Sequence, residues 1–130
     1  MFAALVAARH IELDPDRQGH SISNVLNVAA VPCLPSVVKM DLWLRLAEME
    51  PDRPALVTVA VRRELRTITV TTPLFLKTPR PADRTPGIDY SMPFHFVATL
   101  AAEYMVELRV NGRTEAVHPL VVVVDPTTGP

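Results

Sequence analysis

An all-β fold, a two-layer antiparallel β-sandwich of about eight strands, is predicted by three observations. Apolar residues recur at every second position along most of the chain, so each segment has one apolar side and one wet side. The dipeptide Asn111-Gly112 supplies the two positive-φ residues that a type I′ hairpin turn needs. Short connections rich in Asp, Pro and Gly separate most of the other segments, leaving no room for the long crossovers that parallel neighbours require.

The first element, Phe2 to Leu13, reads as a strand although its alanines also suit a helix, because Ile11 and Leu13 run straight into a turn. That turn is Asp14 to Gly19, and a second apolar arm from Ser21 to Val31 completes a hairpin. Asn24 to Val28 breaks the alternation, as a bulge does. Pro32 and Pro35 then carry the chain across to Val38, Met40, Leu42, Leu44 and Leu46, which alternate with Lys39, Asp41, Trp43 and Arg45. Leu42, Leu46 and Met49 are also helix-spaced, but the longer run at period 2 outweighs them.

Glu50 to Pro54 is a turn, and Val57, Val59 and Val61 form the next inward row, with Thr58 and Ala60 facing out. After a turn at Arg62 to Arg66, Ile68 and Val70 alternate with Thr67, Thr69 and Thr71. Regularity lapses from Pro73 to Met92, a long loop of the kind that is usually functional or mobile. From Pro93 to Leu100 the chain is a strand again, with Phe94, Phe96, Ala98 and Leu100 on one side. The Glu103 to Val124 hairpin closes a single domain over residues 1–124, and 125–130 read as a flexible tail. Packing the apolar rows face to face predicts a sandwich of immunoglobulin-like or jelly-roll topology.

Composition removes several function classes. The 130 residues carry 13 basic and 14 acidic side chains, a net charge of −1, which predicts no nucleic-acid footprint and no basic membrane-facing surface. No apolar run approaches the ~20 residues that span a bilayer. The start, MFAALVAARH, lacks the basic region of a signal peptide, and Cys33 is the only cysteine, so a cytoplasmic location is expected. The four glycines are scattered, so no phosphate-cradling glycine loop exists.

The residue types that carry chemistry are present but dispersed. Asp14, Asp16, Gln18 and Gly19 begin like a calcium loop, yet Val25 stands where its bidentate glutamate belongs, and hairpin-turn chemistry is the preferred reading. His10, His20, His95 and His118 lack metal-site spacing. Cys33, flanked by Pro32 and Leu34, reads as a buried structural thiol, and no serine sits in a nucleophile elbow.

Trp43 is turned outward by the alternation that buries Leu42 and Leu44. There it stacks on a sugar, anchors a protein partner, or is covered by the 73–92 loop. That loop carries Lys77, Arg80 and Arg84 with Phe75 and Tyr90, but irregular spacing and the acids Asp83 and Asp89 favour a solvated loop over a single-strand groove.

The order of these features resembles an uncharacterised bacterial family of small stand-alone β-sandwich proteins, a domain of unknown function. The shared pattern is an apolar first strand and an Asp-rich turn into Ser21-Ile22-Ser23, then the crossing Val31-Pro32…Leu34-Pro35 and the strand Val37-Val38-x-Met40-x-Leu42-x-Leu44. The closing Tyr104-x-Val106-x-Leu108-x-Val110-Asn111-Gly112 hairpin and a later Pro119-Leu120 complete it. Each motif is a turn or core pattern, so the resemblance implies a fold and no catalytic residue; the turn at Arg62 to Arg66 departs from it by lacking a glycine.

The expected function is therefore a non-catalytic protein-interaction or structural module, self-associating as a homodimer through an edge strand or an outer sheet face. The alternative is a small-ligand or carbohydrate-binding sandwich using Trp43 and the 73–92 loop. The candidate contact residues are Trp43, Arg45, Lys77, Arg80 and Tyr90; no catalytic residue, metal, cofactor, nucleic acid or membrane partner is expected.

Overall fold

The computed structural model describes residues 1–16, 19–50, 52–78 and 87–128. Among them are ten strands: β1 (Phe2–Asp14), β2 (Gly19–Val25), β3 (Val28–Val31), β4 (Ser36–Ala47), β5 (Ala55–Arg63), β6 (Arg66–Val70), β7 (Leu74–Leu76), β8 (Gly87–Ala98), β9 (Glu103–Val110) and β10 (Arg113–Val124). No helix occurs among the described residues, and none is long and apolar enough to cross a membrane. The strands form two packed sheets. One is four-stranded in the order β2-β1-β4-β8; the other is six-stranded in the order β3-β10-β9-β5-β6, with β7 also pairing with β5.

The period-2 pattern explains the packing directly. Val38, Met40, Leu42, Leu44 and Leu46 of β4 are all buried, and so are Val57, Val59 and Val61 of β5 and Tyr104, Val106, Leu108 and Val110 of β9. These rows, with Phe94, Phe96, Leu120 and Val122, make one core cluster between the sheets. Each buried aliphatic side chain contributes about 1.5–3 kcal/mol, more than an exposed ion pair, so the inward rows decide the fold. At the Asn111-Gly112 turn both residues take positive φ, 52° and 82°.

Tyr104 locks the entry to β9. Its hydroxyl donates to the Leu100 carbonyl at 2.8 Å and accepts from the Leu100 N–H at 3.3 Å, while its ring lies 5.1 Å from that of Phe96. Tyr104→Phe keeps the ring and removes both bonds, so chemical denaturation is expected to show a loss of about 1–2 kcal/mol. An unchanged denaturation midpoint would mean that the hydroxyl adds nothing.

Several expectations need correction. The arm from Ser21 to Val31 is not one bulged strand: β2 belongs to the four-stranded sheet, and the chain crosses at Leu26-Asn27 to put β3 in the other. Asn24 takes φ 59° just before the crossing, which explains the broken phase. Pairing is not wholly antiparallel either, because β3 runs parallel to β10, with Val28–Val31 beside Val121–Val124. These two strands lie far apart in sequence, so the rule about short connections does not govern them.

In β6 the register slips opposite Val61 and Arg62, and Ile68 is the extra residue. It packs on the core while Val70 turns outward and is exposed, so Ile68 and Val70 do not share a face. The irregular stretch from Pro73 to Met92 is shorter than expected. Leu74–Leu76 is β7, and β8 begins at Gly87 and pairs with β4 along its whole length. Leu100 lies beyond the end of β8 and is exposed. Glu64 fills the turn that lacks a glycine, at a φ of 53° that glycine would tolerate better.

Beyond Ala8, β1 leaves β4 and continues with β2 as a two-stranded ribbon, tied back by the Ile11 N–H donating to Asp41 Oδ2 at 3.0 Å. Asp125 N–H donates to the Val31 carbonyl, and the Asp125 carboxylate accepts from Thr127, so the chain after β10 begins as a capped turn.

Candidate functional site

The two outer sheet faces carry different chemistry. On the four-stranded sheet, Trp43 projects outward between Val6 of β1 and Ser91 of β8. It is half-buried, and the Arg45 guanidinium lies 5.2 Å over its ring. Arg45 is held there by a two-pronged bond to Asp89, at 2.8 and 2.9 Å, and that partner raises the arginine pKa further. One face of the ring is thus already occupied by a cation.

The other sequence candidates do not gather around Trp43. Tyr90 sits opposite Leu44, on the inward side of β8, and packs against the core. Lys77 is exposed just past β7, at the edge of the other sheet. Arg80, and with it Arg84 and Asp83, lies outside the described residues. Thr78 and Gly87 hold the two ends of that stretch together, with Thr78 Oγ1 donating to the Gly87 carbonyl and accepting its N–H.

The histidines and the cysteine are equally dispersed. His10 contacts Glu12 at 2.9 Å on the exposed ribbon, His95 is exposed opposite Lys39, and His118 is buried between the sheets. Cys33 is exposed, not the buried thiol expected, because the proline-bounded crossing keeps it at the surface. Asp14 Oδ1 accepts the Asp16 N–H at 3.1 Å, the hydrogen bond of an Asx turn; Gln18 lies outside the described residues.

Sequence reasoning missed the most organised polar group. Glu107 points to the outer side of the six-stranded sheet yet is only 4% exposed. Arg62 Nε donates to its Oε1 at 2.6 Å, and Arg109 Nε and Nη2 and the Thr114 hydroxyl reach Oε2 at 3.2–3.3 Å. Ala60, directly beside it in β5, leaves room for the two arginines to fold over the carboxylate. Burial pushes the Glu107 carboxyl up, but the hydrogen bonds and charges of Arg62 and Arg109 together outweigh it and hold the pKa below the ordinary carboxylate value. Half of the signal is local, since Glu107 and Arg109 share a face at i, i+2; the other half, Arg62 near the end of β5, comes from a distant segment and leaves none.

No protein-family model, curated protein or solved structure matches the chain. Any functional reading therefore rests on its own residues.

Beside the Glu107 cluster the same outer face turns apolar. Val28 and Ala30 of β3 lie next to Val121 and Val123 of β10, and Pro119 lies next to Met105 of β9. Val28, Val117 and Val123 are 51%, 42% and 37% exposed, well above the inward rows. Across three adjacent strands these residues form one contiguous apolar strip.

Proposed function

We propose that the protein is a non-catalytic interaction module that pairs with a second copy of itself through the outer face of the six-stranded sheet. One observation carries the reading: the strip of Val28, Val117, Pro119, Val121, Val123 and Met105 leaves apolar surface in water on a sheet face rather than scattered singly. Charge supports it. Arg62 and Arg109 on that face are matched by Glu107 and Glu103, so two copies meet without net repulsion. Two of the four edge strands are poorly suited to edge pairing, since β3 is short and Pro93 interrupts the donors of β8.

An immunoglobulin-like topology is favoured over a jelly roll. It is supported by the parallel pairing of the short early strand β3 with the last strand, by the β4–β8 pairing in the opposite sheet, and by Tyr104 bonding back to Leu100 as a tyrosine corner does. A cytoplasmic setting is favoured by the exposed lone thiol of Cys33, which an oxidising compartment would drive into mixed disulfides.

Sedimentation equilibrium tests the reading. The wild-type chain is expected to form dimers at high micromolar concentration, and Val117→Asp to make it monomeric. Val97→Asp, an equally exposed valine on the other sheet, is expected to leave the dimer intact. A monomeric wild type would end the proposal.

A further inference from the structure

The turn between β5 and β6 gathers positive charge that the fold leaves unused. Arg63 and Arg66 stand directly opposite each other across the hairpin, and like charges so placed repel. Arg62, one residue away, is neutralised by Glu107. Among the described residues the guanidinium groups of Arg63 and Arg66 have no hydrogen-bond or ion-pair partner. Both line a cleft of about 190 Å³, together with Thr67, Ile68 and Thr99.

A hydroxyl there suits an anion: Thr99, just past β8, lines the cleft, whereas the Thr67 hydroxyl meets Arg109 on the other face of β6. Glu64 and Glu103, the acids nearest by position in the fold, line the adjoining cleft on the far side of Arg63. Two guanidinium forks and one hydroxyl, carrying two positive charges, match a tetrahedral dianion; a carboxylate would leave one arginine unneutralised. The apolar wall is Ile68, which the bulge in β6 puts there.

We infer that the cleft binds the phosphate group of a small phosphomonoester between Arg63 and Arg66. Binding relieves the cross-strand repulsion, so the ligand stabilises the β5–β6 hairpin as it docks.

Calorimetric titration of the full chain with inorganic phosphate, phenyl phosphate and acetate, at matched ionic strength, tests this. Phosphate and phenyl phosphate are expected to bind saturably at one site, and acetate at least about tenfold more weakly. Arg66→Gln is expected to weaken phosphate binding by about tenfold or more, while Arg113→Gln, at the opposite end of the sheet, leaves it unchanged. Without ligand, Arg66→Gln is expected to be at least as stable as wild type, because a repulsion has been removed. Equal phosphate binding by Arg66→Gln, acetate binding as tight as phosphate, or a destabilised unliganded variant would each overturn the inference. Binding of inorganic phosphate but not phenyl phosphate would overturn the assignment to a phosphomonoester.

Discussion

Replacing Glu107 with alanine is expected to destabilise the protein by about 3 kcal/mol, the low end for breaking a buried ion pair. The low end applies because the Arg62 and Arg109 side chains, 31% and 25% exposed, can turn partly to water once the carboxylate is gone. What remains is two unpaired guanidiniums beside Ala60, and a Thr114 hydroxyl without its acceptor. Glu107→Gln keeps the shape but removes the charge and replaces one accepting oxygen with an NH2 that faces an arginine N–H, so it is expected to lose about 1–3 kcal/mol at neutral pH.

The sign of the pH dependence follows from the direction of the shift. The folded carboxyl titrates below its unfolded value, so its contribution is complete above the unfolded pKa and disappears as pH falls through the folded one. Acid therefore costs the wild type more than Glu107→Gln, and their stabilities converge in strong acid. Urea denaturation at several pH values reads this directly. A constant gap between the two proteins from neutral pH into acid would show that the arginines do not stabilise the carboxylate.

The same cluster shows what a sequence can and cannot disclose here. Alternation revealed the rows that face each other, because side-chain period is fixed by the pleat and needs no partner to be recognised. Thus the spacing alone puts Leu42 and Val59 inward and Trp43 and Arg45 outward, as they stand in the fold. Wherever one residue is added or a strand changes sheet, the period resets and the reading slips. Ile68 is such an added residue, and Leu26-Asn27 is such a change of sheet.

Pairings between distant segments leave no local trace, so the parallel β3–β10 ladder and the meeting of Arg62 with Glu107 were hidden. Tyr90 illustrates a different failure. The prolines around it read as an irregular loop, yet it belongs to a strand whose inward side it occupies. The candidate contact set dissolved for that reason: Trp43 and Tyr90 lie on opposite sides of one sheet, and no rotation of side chains joins them.

His118 is the second residue whose loss is expected to be large, and it acts where the two sheets meet. It projects inward from β10, and the Ala7 N–H of β1 donates to its Nδ1 at 3.3 Å. A backbone N–H can only donate, so Nδ1 is unprotonated and the proton sits on Nε2, which donates to the Leu26 carbonyl at 2.7 Å. Leu26 N–H in turn donates to the Ala7 carbonyl at 2.8 Å, so one imidazole and one backbone bond pin the crossing from β2 to β3 against β1. Because His118 is 8% exposed, water cannot replace these bonds freely when the ring is removed. His118→Phe keeps the volume and strands both backbone groups, which predicts a loss of about 2–6 kcal/mol, at 1–3 kcal/mol for each buried unpaired group. His118→Ala adds a cavity and is expected to lose still more, unless water enters the space and satisfies Ala7 and Leu26. Equilibrium denaturation gives the totals, and hydrogen exchange locates them, with the Ala7 and Leu26 amides expected to lose protection before those of the β4–β8 ladder. A His118→Phe variant as stable as wild type, with both amides still protected, would show that packing alone holds the crossing in place.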